Sequence, residues 1–427
     1  MFEKLNSARL LNQIKQTARR LLGAQGEANA QSIAIKLIEQ YESLGASERK
    51  GFFNFLAEEF NPDPQEVLHK AQSYAQDPSA AHLIALFKVT EPGRQELLRR
   101  INRAPNGTSA IINMRRELLP LIKDNKEWSA IDSDMLHLLG SWFNPGFLEL
   151  HEITWHSSAQ LLEKIIQHEA VHAIDGWDDL HRRLQPDRRC FAFFHPQLPE
   201  EPLIFVEVAL VPEISQHIDQ LLDRKTPVGE QKSYKTAIFY SISNCQPGLR
   251  GVSLGNFLIK RVANKLQQEI PTLKNYCTLS PIPGFTKWLD QGCPLQGIEL
   301  PKNHSNRIDE AISLLKIKTR TWKERLKEGW HPDSCTPSHK NAMLLLCAAY
   351  LRYGTHSAGG DSVANFHLSN GATLHQINWA ADRSAKGLQQ SAGMMVNYLY
   401  ELNKVEVQHE AYGKGEVILS RSVKQLI

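Results

Sequence analysis

Apolar residues recur at three- and four-residue intervals through most of the first 145 positions. QSIAIKLIEQYESL (31–44), ERKGFFNFLAEEF (48–60), QEVLHKAQSYA (65–75) and TSAIINMRRELLPLIK (108–123) each carry a stripe at this spacing, which predicts amphipathic helices. NPDP, EPG and APNG lie between such segments and predict short turns. No repeat of fixed period and shared signature is present, so a regular solenoid is not expected. The expectation for residues 1–145 is an all-helical domain. Its first segment, MFEKLNSARLLNQIKQTARRLLGAQ, is amphipathic, basic and nearly free of acids apart from Glu3, as a mitochondrial presequence would be. Its period continues into further helical sequence, which favours an ordinary first helix.

From FNPGFLELHEITW onward the pattern changes. CFAFFHP, EPLIFVEVALV and TAIFYSIS are short apolar runs rich in β-branched and aromatic residues, and predict buried strands. GLRGVSLGNFLIKRVANKLQQEI opens with glycines and then places Leu254, Leu258, Val262, Leu266 and Ile270 at every fourth position, a helix with one buried face. LKNYCTLSPIPGF returns to a strand that stops at two prolines. Strand, glycine loop, helix and strand form the local unit of an α/β domain over residues 146–427, so the chain as a whole is α+β with two domains.

Composition narrows the classes. A chain of 427 residues with 49 basic and 46 acidic side chains has a formal charge of +3, which argues against a broad nucleic-acid or membrane surface. No run of 18 apolar residues and no secretory segment is present, and VKQLI is not a peroxisomal address, so the expected location is the cytoplasm rather than the mitochondrial matrix. The six cysteines include no C-x-x-C pair, and neither a zinc ribbon nor a redox dithiol is signalled.

Two stretches carry candidate chemistry. His168-Glu169-Ala170-Val171-His172 fits H-E-x-x-H, in which two imidazoles on one helical face bind zinc and the glutamate acts as base. Leu161, Leu162, Ile165 and Ile166 after Ser157 and Ser158 predict a helix that runs into it and frays towards Gly176. The extended form of the motif needs Gly at 175 and His at 178, where this chain has Asp175 and Asp178. A zinc hydrolase and a pair of ordinary histidines both stay open on these residues.

The second stretch is the loop RGVSLGN, comprising Arg250, Gly251, Val252, Ser253, Leu254, Gly255 and Asn256, between a strand and a helix. Backbone N–H groups at a helix start, two glycines and an arginine suit a pyrophosphate; a plain strand-to-helix turn is the other reading. Neither G-x-G-x-x-G nor G-K-[ST] is present. The loop resembles the R-G-x-G-x-G/A coenzyme A loop of the GCN5-related acetyltransferase (GNAT) fold, with Ser253 in place of the middle glycine.

FYSIS, RGVSLGNFLIKRV, TLSPIPGFTKWL and VANFHLSNGA, together with the GWDDLHRRLQPDRRCFAFFHPQLPEEPLIFVEVAL stretch, resemble the malonyl-CoA decarboxylase family from about residue 150 to the C-terminus. The resemblance implies an acetyltransferase-like catalytic domain, a helical oligomerisation domain that makes a dimer or tetramer, and conversion of malonyl-CoA to acetyl-CoA and CO₂ without metal or organic cofactor. It assigns catalysis to Ser280 and His367 and coenzyme A binding to Arg250 through Asn256, and makes the H-E-x-x-H match a coincidence. Taken alone, Ser280 before Pro281 reads as a strand end and His367 between Phe366 and Leu368 as a core histidine. An acyl-CoA-dependent acyltransferase, the zinc hydrolase and an inactive coenzyme A-binding regulator are the competing readings.

Overall fold

The computed structural model describes residues 2–252, 254, 258–295, 297–356 and 360–427. They divide into two units.

The helical unit runs to Glu149 and also takes in Phe194–Leu203 and Cys245–Leu254. Its α-helices are Phe2–Gly23, Glu27–Glu42, Ala46–Glu59, Pro64–Gln76, Ala80–Thr90, Gly93–Asn102, Gly107–Leu118 and Ser129–Trp142. The apolar stripes become its core. Leu37, Phe53, Ile111, Ile131 and Leu139 have no solvent exposure, and each such side chain contributes about 1.5–3 kcal/mol by leaving water. Trp128 lies on Phe53, ring centroids 5.5 Å apart, with its indole N–H on Asn54 Oδ1 at 2.8 Å. The first segment is an ordinary helix that buries Ile14, Ala18 and Leu21.

The second unit, built from residues 150–193, 204–244 and 255–427, holds an eight-stranded sheet. Its strands are β1 (Glu149–Ile153), β2 (Arg188–Phe194), β3 (Ile204–Val211), β4 (Thr236–Asn244), β5 (Asn275–Thr278), β6 (Ser280–Pro281), β7 (Thr373–Asn378) and β8 (Met395–Leu399). The order is β1-β2-β3-β4-β5-β8, with β6 and β7 also paired to β8. Neighbours are antiparallel in every described register except β4 and β5, which are parallel. A parallel neighbour needs a crossover, and the helix Leu258–Glu269 supplies it. The predicted stripe is its buried face: Leu258, Val262 and Leu266 are all within 4 % exposure. The predicted strand, helix and strand are present as β4, this helix and β5, while the glycine loop between them lies partly outside the described residues and its described part, up to Leu254, belongs to the helical unit.

Two irregularities shape this sheet. Val208 pairs with Phe239 and Glu207 with Ser241, so Tyr240 is an extra residue that makes a β-bulge in β4. The β4–β5 pairing covers only Thr236–Phe239 against Asn275–Thr278, with one further bond from Leu279 N–H to the Phe239 carbonyl. Past that point the chain turns to β8 as β6, and the two parallel strands part.

Candidate active site

Alternation along β5 and β6 decides which residues can meet. Cys277 and Leu279 join Ile238, Tyr240 and Met395 in an apolar cluster on one face, so Thr278 and Ser280 turn to the other. The same alternation on β8 puts Val396 and Tyr398 opposite Met395, and Tyr400 continues the series just beyond the strand. His367 reaches this face from the helix Ser362–Ser369. Its ring stacks on that of Tyr398, centroids 4.6 Å apart and planes 25° from parallel.

Ser280 and His367, 87 positions apart, form a hydrogen bond of 2.9 Å between Oγ and Nε2. Ser280 Oγ also donates to Thr278 Oγ1 at 2.9 Å, and Thr278 Oγ1 accepts the Tyr398 backbone N–H at 3.2 Å. Nδ1 of His367 lies 2.9 Å from the Tyr400 hydroxyl. With Ser280 donating to Thr278, the imidazole must donate from Nε2, and Tyr400 must donate to Nδ1. Asn397 fixes the strand beneath by donating to the Thr278 carbonyl at 2.8 Å, and its own Oδ1 accepts from Asn378 at 2.6 Å. Ser280 is 6 % and His367 3 % exposed, so the pair is buried where such bonds are strong.

Burial also sets the charge state. Desolvation pushes the His367 imidazole pKa down to about 3, and the free ring is neutral at physiological pH. The same desolvation raises the Tyr400 phenol well above its ordinary value, so it keeps its proton and stays a donor. Thr278, Tyr398 and Tyr400 were not singled out from the sequence. The signal was there in the alternation of CTLS and of MVNYLY, which places Thr278 with Ser280 and Tyr398 with Tyr400.

Of the proposed coenzyme A loop, Arg250, Gly251, Val252 and Leu254 are described, while Ser253, Gly255 and Asn256 lie outside the described residues. Arg250 is exposed and Leu254 buried. Gly251 has φ of 84°, a left-handed backbone that side-chain-bearing residues rarely adopt. Buried Arg115 of the helical unit holds the approach to the loop, donating to the carbonyls of Gly248 and Arg250 at 2.7 Å each while its Nε pairs with Asp132.

The H-E-x-x-H stretch does not form a zinc-binding helix. The predicted helix ends at His168, spanning Ala159–His168, and Glu169 has extended backbone, so His172 is not one turn along the same face. Glu169 is engaged as well. Its Oε1 accepts the N–H groups of Val171 and His172 at 2.7 and 2.8 Å, and its Oε2 accepts Ser241 Oγ at 2.6 Å. A carboxylate bonded twice within its own turn and once to Ser241 of β4 has no room to act as a base. Among the described residues no group of three or more His, Cys, Asp or Glu is placed to hold a metal ion.

The whole chain can be set beside known proteins. Residues 60–143 match the model of the malonyl-CoA decarboxylase N-terminal domain, and residues 146–427 that of the malonyl-CoA decarboxylase C-terminal domain. The mitochondrial malonyl-CoA decarboxylase of Mus musculus is 35 % identical over 424 residues, covering 94 % of this chain and 86 % of that protein. The crystal structure of malonyl-CoA decarboxylase from Rhodopseudomonas palustris is 39 % identical with a TM-score of 0.85, covering 97 % of this chain and 99 % of the other. That from Agrobacterium vitis is 41 % identical with a TM-score of 0.82 and the same coverage. A match over both domains, in sequence and in structure, shows that the chain belongs to the malonyl-CoA decarboxylase family.

Proposed function

We propose that this chain decarboxylates malonyl-CoA with Ser280 and His367 as the catalytic pair and Tyr400 as the partner of the imidazole. The observation that carries the reading is the buried Ser280–His367 hydrogen bond at 2.9 Å, formed where the strands β4 and β5 part. The Ser280 hydroxyl turns from Thr278 to the malonyl group. The bond between carbon 2 and the carboxylate breaks, CO₂ leaves, and the electron pair passes into the thioester as an enolate. His367, held neutral by burial, gives its Nε2 proton to carbon 2, because a thioester enolate is a stronger base than imidazolate. Tyr400 shares its proton with Nδ1 as negative charge develops on the ring, a charge-assisted bond. Solvent then restores the imidazole proton. The sum consumes one proton and releases acetyl-CoA and CO₂. Arg250 through Asn256 would hold the coenzyme A pyrophosphate, a role supported by the left-handed Gly251 and the exposed Arg250.

The test is mass analysis of products from malonyl-CoA in D₂O with excess EDTA. CO₂ and acetyl-CoA carrying one deuterium in the methyl group are expected. Acylation of an added amine without CO₂ release would replace decarboxylation by acyl transfer.

The same proposal assigns residues 1–145 to oligomerisation and 146–427 to catalysis. In the helices Pro64–Gln76 and Ala80–Thr90 no residue is buried, and Leu68, Ile84 and Phe87 are 52, 54 and 63 % exposed, a surface suited to a second copy of the chain. Light scattering is expected to give a multiple of 48.4 kDa; a single-chain mass would remove the oligomer. No helix among the described residues is long and apolar enough to cross a membrane, and a cytoplasmic location, supported by the packed first helix, completes the proposal.

A further inference from the structure

One side chain holds both the helix that carries His367 and the loop that leaves Ser280. Asp361 caps the helix Ser362–Ser369 with Oδ1, which accepts the N–H groups of Val363 and Ala364 at 3.0 Å each. An aspartate in that position is an ordinary N-cap. What a cap does not require is the other oxygen's bond: Oδ2 accepts the N–H of Gly284, 77 positions away, at 3.0 Å. Asp361 is 1 % exposed, so water does not compete for either oxygen.

Both tethered segments are stiff. From Ser280 to Gly284 the chain reads Ser-Pro-Ile-Pro-Gly, and two fixed proline φ angles turn this stretch into a rigid link. His367 lies six residues beyond the cap within one short helix. A shift at either end of the Asp361 carboxylate is therefore passed to a reacting side chain instead of being absorbed by a flexible loop. The approach is also close. A Cβ at Gly284 would lie 2.2 Å from the Tyr350 hydroxyl and 3.4 Å from Asp361 Oδ2, so the backbone can come this near only without a side chain.

We propose that Asp361 is a positioning residue for the decarboxylation, setting the Ser280–His367 separation by tying the helix of one and the loop of the other to a single carboxylate. This rests on the reading that Ser280 and His367 do the chemistry. Asp361 itself touches neither the reacting atoms nor coenzyme A in this scheme.

The test is a double-mutant cycle. Asp361→Ala should lower kcat by roughly 10–100-fold, the scale of a misplacement of up to an ångström, with KM for malonyl-CoA changed less than about threefold. In an S280A background, where the pair is already broken, the same change should cost less than about threefold, because residues acting as a unit are not additive. Asp361→Asn retains an acceptor for the helix but puts an amide donor against the Gly284 N–H, and should lose part of the rate, roughly 3–10-fold. Should Asp361→Ala fail to fold, Gly284→Ala takes its place in the cycle, since it displaces the loop and leaves the cap intact. Wild-type kcat in these variants, or an equal loss with and without Ser280, would overturn the assignment. A readout without turnover separates this inference from the reading beneath it. In protein labelled with ¹⁵N-histidine, the ring signals absent from H367N should move in D361N. Unmoved signals would overturn the tie, whereas a wild type that releases no CO₂ would overturn the decarboxylase and leave the tie to be judged by those signals.

Discussion

Turnover of malonyl-CoA should fall by roughly 10²–10⁴-fold when His367 becomes asparagine, the range usual for removing one general acid. Asparagine can accept from Tyr400 and donate towards Ser280, so the hydrogen-bonded frame survives, but a carboxamide N–H is a poor proton donor to carbon. The loss should fall on kcat, and binding of acetyl-CoA should stay near that of the wild type. The pH profile adds a second check. Burial holds the imidazole pKa at about 3, so the free ring does not titrate between pH 5 and 8, and kcat/KM should show no rise as pH drops through 6.5. If imidazolium were the acid, kcat/KM would climb as the ring gained its proton on acidification. That climb in the wild type, absent from the asparagine variant, would sink the neutral-donor mechanism. Normal turnover in the variant, with the same deuterium content in the acetyl methyl, would make His367 a packing residue.

Ser280→Ala is the second large effect, with an expected loss of roughly 10²–10³-fold in kcat, typical of deleting one preorganised donor to developing charge. The hydroxyl sits between Thr278 and His367 and points to neither solvent nor an ion, so its removal strands the Nε2 hydrogen and takes a donor from the malonyl group. KM should move little, because most of the affinity for an acyl-CoA comes from the long carrier and not from the three-carbon acid. The serine also packs in β6 against Val396, and alanine keeps that pairing. A variant with unchanged kcat would take Ser280 out of the chemistry. One with raised KM and intact kcat would make it a ground-state contact.

Much of the scaffold was legible because periodicity reports burial directly. The stripes at 31–44, 48–60 and 65–75 became Glu27–Glu42, Ala46–Glu59 and Pro64–Gln76, and the apolar runs at 201–211 and 236–243 became β3 and β4. The helix leading into His168 stops at that residue, short of the fraying expected towards Gly176. Its apolar stripe stops at Ile166, and the Glu169 carboxylate stabilises a turn that competes with further helix, a local effect no period reveals. Ser280 and His367 came from family resemblance, as neither residue's own neighbours distinguish it from a strand end or a core histidine. That they touch depends on strand register around β8 and on the helix cap at Asp361, both set by contacts between distant parts of the chain. The lowered His367 pKa has the same origin: burial belongs to the folded protein, not to the residue type.

The place of β8 governs how the chain can acquire this site during synthesis. Met395–Leu399 is made after all the other strands, yet it lies inside the sheet, between β5 and β6 on one edge and β7 on the other. Until it emerges, the edges of β5 and β7 that it will cover are unpaired and open to another chain. A growing polypeptide halted before residue 395 would thus carry the open edge of β5, an unpaired β7 and no Tyr398 ring for His367 to stack on. Final closure of the sheet and assembly of the reactive pair coincide in one late step, so the nascent enzyme is most exposed to aggregation just before it becomes competent.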